Sequence, residues 1–201
     1  MTKKLSYLTR LALLFAIIVV LTVLNIGNIP IGPIVATIYQ VPVIIGACML
    51  GVGAGAFLGG AWGVLCFVLA LTGQTTDVVA LTVVGQSPLL YFVIAFVPRL
   101  LMGTLAGVLF CGLNRVLREK VKPVSYAVCG FVGSALNTAF YLSSLYLLIR
   151  ETLATLYSID VSAVGAMVWG VAVANGLPEA VVSCVLCTAI CSALSVVFKK
   201  K

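Results

Sequence analysis

The chain has no histidine and only five acidic residues, and charged side chains of either sign fill 8% of its 201 positions. Without imidazole, histidine-based metal ligation and proton shuttling are excluded. No G-x-x-x-x-G-K-S/T run is present, so there is no phosphate-binding loop for ATP. H-E-x-x-H and G-x-S-x-G are also missing, and no apolar segment holds a pair of carboxylates. A proteolytic or hydrolytic enzyme would need one of these constellations, so the chain reads as a binding or transport protein with no cofactor. The scarcity of charge excludes a soluble fold as well, since soluble domains carry roughly 25% charged residues.

What is present is apolar: 63% of the residues are hydrophobic. Most of the surface must therefore face lipid. In lipid, backbone polar groups have to be satisfied internally, which leaves helices or a closed barrel. Barrel strands alternate apolar and polar residues over short stretches, whereas 11–24 and 181–198 are almost unbroken apolar runs. The expected fold class is an all-α integral membrane protein. It forms a single transmembrane domain over 1–201, with helices at about 5–25, 36–50, 54–71, 89–117, 123–149 and 164–198. The basic residues set the orientation. With six spans and the N-terminus inside, Lys3, Lys4, Arg10, Arg115, Arg118, Lys120, Lys122 and Lys199 to Lys201 all fall inside, ten of the twelve. This matches the positive-inside rule and puts both termini in the cytoplasm of a prokaryotic plasma membrane. Basic residues placed at segment ends leave few to contact phosphates, so nucleic acid is not an expected partner.

The connections carry the turn formers. Residues 25–33 read Asn-Ile-Gly-Asn-Ile-Pro-Ile-Gly-Pro, and 72–88 form a long connection. Gly51-Val-Gly-Ala-Gly55 resembles a dinucleotide loop, but no strand precedes it. Close helix packing is the better reading, extended by the ridge Gly55, Gly59, Gly63. The seven cysteines lie in or beside apolar runs and read as small buried hydrophobes; Cys184, Cys187 and Cys191 share a helix face without the histidine or carboxylate a metal site would add.

Polar residues inside a membrane are costly and mark function by default. Arg99 lies in the fourth segment. Asn137 and Tyr141 share a face of the fifth, Asn175 and Glu179 a face of the sixth, Trp62 sits in the third, Tyr91 precedes Arg99, and Gln40 opens the second. Together they suit a cavity open to the outside. Arg99 would hold an anion there, the asparagines would read amides or hydroxyls, and the aromatics would form walls. Two alternatives stand beside this: an internal Arg99–Glu179 pair with asparagines bridging helices, and aromatics that only pack or form an interfacial belt.

Several stretches resemble the substrate-binding S component of an energy-coupling factor (ECF) vitamin transporter. They are Ala12-Leu-Leu-Phe-Ala16, Ile29-Pro-Ile-Gly-Pro33, Gln40-Val-Pro-Val-Ile-Ile-Gly46, Gly51-Val-Gly-Ala-Gly-Ala56, Ser87-Pro88, Val97-Pro-Arg-Leu-Leu-Met-Gly103, Leu136-Asn-Thr138 with Tyr141-Leu142, and Asn175-Gly-Leu-Pro-Glu179. The pattern is most similar to the pantothenate and folate-type subgroup, and one arginine with asparagines suits pantothenate, which has one carboxylate, one amide and two hydroxyls. Other vitamins or precursors (folate, pyridoxine, hydroxymethylpyrimidine) and a self-contained secondary carrier are the alternatives. The resemblance implies a binding subunit whose 25–35 and 72–88 connections act as lids. It implies docking through Ala12 and Ala16 onto a transmembrane scaffold subunit, with two separate ATPase subunits driving release inside. The alternative for Ala12 and Ala16 is packing within the subunit's own bundle.

Overall fold

The computed structural model describes residues 3–31, 34–116 and 122–199. Pro33 of the resemblance, and Arg118, Lys120, Lys200 and Lys201 of the basic clusters, lie outside them. Helix α1 (Lys3–Val23) contains neither glycine nor proline. It stops where Asn25 takes a left-handed conformation (φ 53°), which asparagine tolerates better than most side chains. A two-stranded antiparallel hairpin follows, β1 (Asn28–Ile31) and β2 (Ile34–Thr37), with Asn28 opposite Thr37. The spans are helical, as expected of the all-α class, and the first connection adds one element the sequence reading did not place, a short β-hairpin. Two short runs rich in β-branched residues flank the Gly32-Pro33 turn signal, which is a hairpin pattern.

The hairpin uses residues that the hydropathy pattern assigns to the second span, so α2 (Val41–Leu50) is short. Pro42 sits in its first turn, where a missing N–H costs nothing. It ends at Gly51, whose φ of 99° suits only glycine. Helix α3 (Val52–Leu71) returns, and the 72–88 connection contains α4 (Val78–Gln86), capped by Asp77, whose carboxylate accepts from the Ala80 N–H at 3.2 Å. Helices α5 (Pro88–Val116) and α6 (Lys122–Tyr157) follow. The latter is kinked at Ile149 (φ −138°, ψ 24°). The last segment is α7 (Val164–Val171), a π turn over Ala172–Gly176 and α8 (Leu177–Lys199). Among the described residues, five helical stretches are long and apolar enough to cross a membrane, and α2 is a shorter apolar helix.

The most extensive helix contact is between α3 and α5. A Cβ added to Gly55 would meet the Gly103 carbonyl, and one added to Gly59 would meet the Arg99 carbonyl. At Gly63 it would come within 2.7 Å of the Phe96 Cα. The small-residue ridge thus brings the α3 backbone directly against the turns of α5 that carry Arg99. Buried side chains form two groups. One surrounds α2 and includes Ile44, Leu58, Trp62 and Met102; the other gathers Ala80, Val83, Tyr91, Leu145 and Leu153 beneath α4 and the α6 kink. Helix α1 lies at the edge. Ile18 is buried, while Ala12, Ala16, Leu13 and Val20 are exposed.

Candidate functional site

Residues from both core groups line a cavity of about 340 Å³, within the usual size range of small-molecule sites. Seven of the eight substrate-site residues expected from sequence meet there: Trp62 from α3, Tyr91 and Arg99 from α5, Asn137 and Tyr141 from α6, Asn175 from the π turn and Glu179 from α8. The wider π turn precedes α8 and leaves Val171, Asn175, Gly176 and Glu179 on the cavity side. Such turns are frequent at functional sites.

Arg99 is the cation of this cavity. Its guanidinium carbon lies 4.6 Å from the centre of the Trp62 ring and 5.2 Å from that of Tyr141. Each such contact is worth about 0.5–2 kcal/mol, more where water is excluded. Nη1 donates to the Ala95 carbonyl at 2.7 Å, while Nε is buried without a hydrogen-bond partner. Trp62 Nε1 and Asn137 Oδ1 are likewise buried and unpartnered. Three orphaned polar groups around one cavity call for an explanation, since buried polar groups are nearly always paired. A bound polar ligand supplies one.

Glu179 does not pair with Arg99. Its Oε1 accepts from the Thr37 hydroxyl at 2.9 Å and from the Thr37 backbone N–H at 3.1 Å, so the end of the hairpin is pinned to α8. Arg99 and Glu179 are therefore held by different partners, and Asp77, the third charged residue of the lining, has its own, the Ala80 N–H and the Tyr141 hydroxyl.

Gln40 is placed differently from the expectation. It is fully buried below the hairpin, and its Nε2 donates to the Thr37 carbonyl (3.0 Å) and Ser134 Oγ (3.1 Å) and approaches Ser183 Oγ at 3.4 Å. It does not line the cavity; it holds the floor under Thr37.

Several lining residues were not singled out from sequence: Asn25, Thr37, Gln74, Thr75, Thr76, Asp77 and Thr138; Tyr39, beside Gln40 at the start of the second segment, lines the cavity too. Most come from the first and third connections. Tyr39 donates to Asn25 Oδ1 at 2.9 Å, and Asn25 Nδ2 donates to Thr76 Oγ1 at 3.3 Å, which ties the first connection to the third. Tyr141 adds a contact to the third connection by donating to Asp77 Oδ2 at 3.4 Å. The T-T-D run before an apolar stretch was the available signal, being a helix cap next to a cavity. Among the described residues, no group of histidine, cysteine or carboxylate side chains is arranged to hold a metal ion.

Comparison with known proteins identifies the family. A family model described as the substrate-specific component of ECF transporters matches residues 6–191. The Pantothenic acid transporter PanT of Lactococcus lactis subsp. cremoris is 33% identical over 204 residues, covering 96% of this chain and 95% of the relative. The Pantothenate transporter PanT of Leuconostoc mesenteroides subsp. mesenteroides is 33% identical over 135 residues, covering 65% of this chain and 61% of that one. With its apolar helices, the chain is a multi-pass cell-membrane protein. It belongs to the ECF transporter family of substrate-specific components, and so to a class of binding subunits rather than enzymes.

Proposed function

We propose that this S component captures pantothenate from outside the cell. The observation that carries the reading is Arg99: a guanidinium between two aromatic faces, without an ion pair among the described residues and with a buried N–H still to be satisfied. A carboxylate is the natural partner, because it accepts two parallel hydrogen bonds from the guanidinium fork. Asn137, Asn175 and Thr138 offer donors and acceptors for an amide and hydroxyls, and the cavity volume suits a molecule of this size. The full-length relative named as a pantothenic acid transporter supports the same ligand.

The chain crosses the membrane six times with both termini inside, α2 forming a short second crossing with the hairpin at its outer end. The hairpin and the 72–88 connection close the outer mouth. Exposed Ala12 and Ala16 on α1 form a small-residue face for a transmembrane scaffold subunit, which works with two ATPase subunits. The direct test is mass spectrometry of the small molecule that copurifies with the detergent-solubilised protein. Pantothenate is the expected mass; a different vitamin in the cavity would overturn the ligand assignment and leave the family unchanged.

A further inference from the structure

We infer that the cavity sorts its ligand by charge through two separately supported groups. Arg99 receives the anionic end, and Glu179 receives an uncharged, hydroxyl-bearing end and repels a second anion placed there. This rests on the pantothenate reading. It adds an orientation for the ligand and a rule for what is refused.

The argument starts from the cost of charge in a membrane. An intramembrane carboxylate normally pairs with a cation. Glu179 lines the same cavity as Arg99, yet its Oε1 is fixed by the two donors of Thr37. The Thr37 carbonyl is in turn held by buried Gln40, itself bonded to Ser134, so the Glu179 carboxylate is braced by the hairpin end, by Gln40 just ahead of α2 and, through Gln40, by α6. Such a braced group is a positioned acceptor. Its Oε2 accepts none of the described hydrogen bonds, and a carboxylate can only accept. Ligand hydroxyls are donors and match it; charge-assisted O–H···O bonds are the short, strong kind. Arg99, on α5, is held by Trp62, Tyr141 and the Ala95 carbonyl, a separate set of supports. Asp77, the other carboxylate of the lining, already accepts from the Ala80 N–H and the Tyr141 hydroxyl, so Arg99 is left to a ligand carboxylate and Glu179 to ligand hydroxyls, which favours one orientation. Phosphorylating the hydroxyl end would set a dianion against Glu179 in a site of low dielectric, where like charges repel strongly.

The experiment is equilibrium binding to the detergent-solubilised full chain with four probes: pantothenate, the analogue with a hydroxymethyl group in place of the carboxylate, the analogue phosphorylated on its primary hydroxyl, and a neutral ester of similar bulk at that hydroxyl. The unmodified protein should prefer pantothenate to the phosphorylated probe by at least about 100-fold, and should bind the neutral ester better than the phosphorylated probe by at least about tenfold. Glu179→Gln, which keeps an acceptor for Thr37, should narrow the pantothenate-to-phosphate ratio at least about tenfold. It should leave the preference for pantothenate over the hydroxymethyl analogue in place; Arg99→Ala should do the reverse. Equal rejection of the phosphate and the neutral ester overturns the inference without any variant, because bulk then explains the selectivity. An unchanged ratio in Glu179→Gln overturns it as well. Absence of pantothenate binding to the unmodified protein removes the vitamin reading and this inference with it, whereas pantothenate binding with either of the other failures removes this inference alone.

Discussion

Single residues in this cavity divide into those that face a ligand and those that hold the facing ones in place. Trp62 does both. Its ring lies under Arg99 and 6.2 Å from the Tyr39 ring, while its Nε1 is buried without a partner. Trp62→Phe keeps an aromatic face, weakens the cation–π contact and removes the orphaned N–H. We expect ligand affinity to fall severalfold while the thermal midpoint changes little, read by titration and by melting of the same sample. Gln40 is the opposite case. Gln40→Leu would leave Ser134, Ser183 and the Thr37 carbonyl without its amide. Buried polar groups stripped of partners cost about 1–3 kcal/mol each. A lowered thermal midpoint is the expected result, with ligand affinity reduced indirectly through Thr37 and Glu179; an unchanged midpoint would remove the supporting role given to Gln40.

At the scale of elements, the α3–α5 crossing decides whether Arg99 can reach the cavity. Gly59 abuts the Arg99 carbonyl. Gly59→Val should push the helices apart, lower the melting temperature and abolish ligand binding. Gly53→Ala, at a position where an added Cβ meets nothing within 4 Å, should be neutral or slightly stabilising, as expected for alanine in a helix. The ridge Gly55, Gly59, Gly63 was legible in the sequence because small residues at i, i+4 spacing have one common use in membranes. The α4 helix was not read, since nine residues are too few for a span and the flanking Thr72-Gly and Ser87-Pro pairs mark a loop. The hairpin was missed for a related reason: in an apolar chain, β-branched residues beside a helix-length run look like its first turns. Its discovery explains why α2 begins at Val41 rather than near Ala36. Asp77 was read neither as a cap nor as a partner of Tyr141, because α4 was taken as loop and Tyr141 lies 64 positions away, joined to it only in the folded chain. Asp77→Ala should remove about 1 kcal/mol of helix capping and the Tyr141 contact, and so speed ligand release in a dissociation measurement.

For the whole molecule, the central feature is division of labour between two surfaces. Polar residues in the spans converge on one cavity because burying them elsewhere in lipid is costly, and this is why seven of the eight residues picked from one sequence fall on its lining, although many other lining residues were not picked. Their supports, Thr37 for Glu179 and the two rings for Arg99, depend on contacts between distant segments and carry no local pattern. The exposed face of α1 has a separate task in the proposed assembly. Ala12→Trp should leave ligand binding intact and abolish uptake when the partner subunits are present; normal uptake would remove the docking role. The most direct test of the account is a calorimetric titration of the purified chain and its Arg99→Ala variant with pantothenate. The account predicts saturable binding by the unmodified chain and at least about tenfold weaker binding by the variant, from the loss of one charge-assisted contact of roughly 1.5–3 kcal/mol. Equal affinity in the two proteins would contradict it.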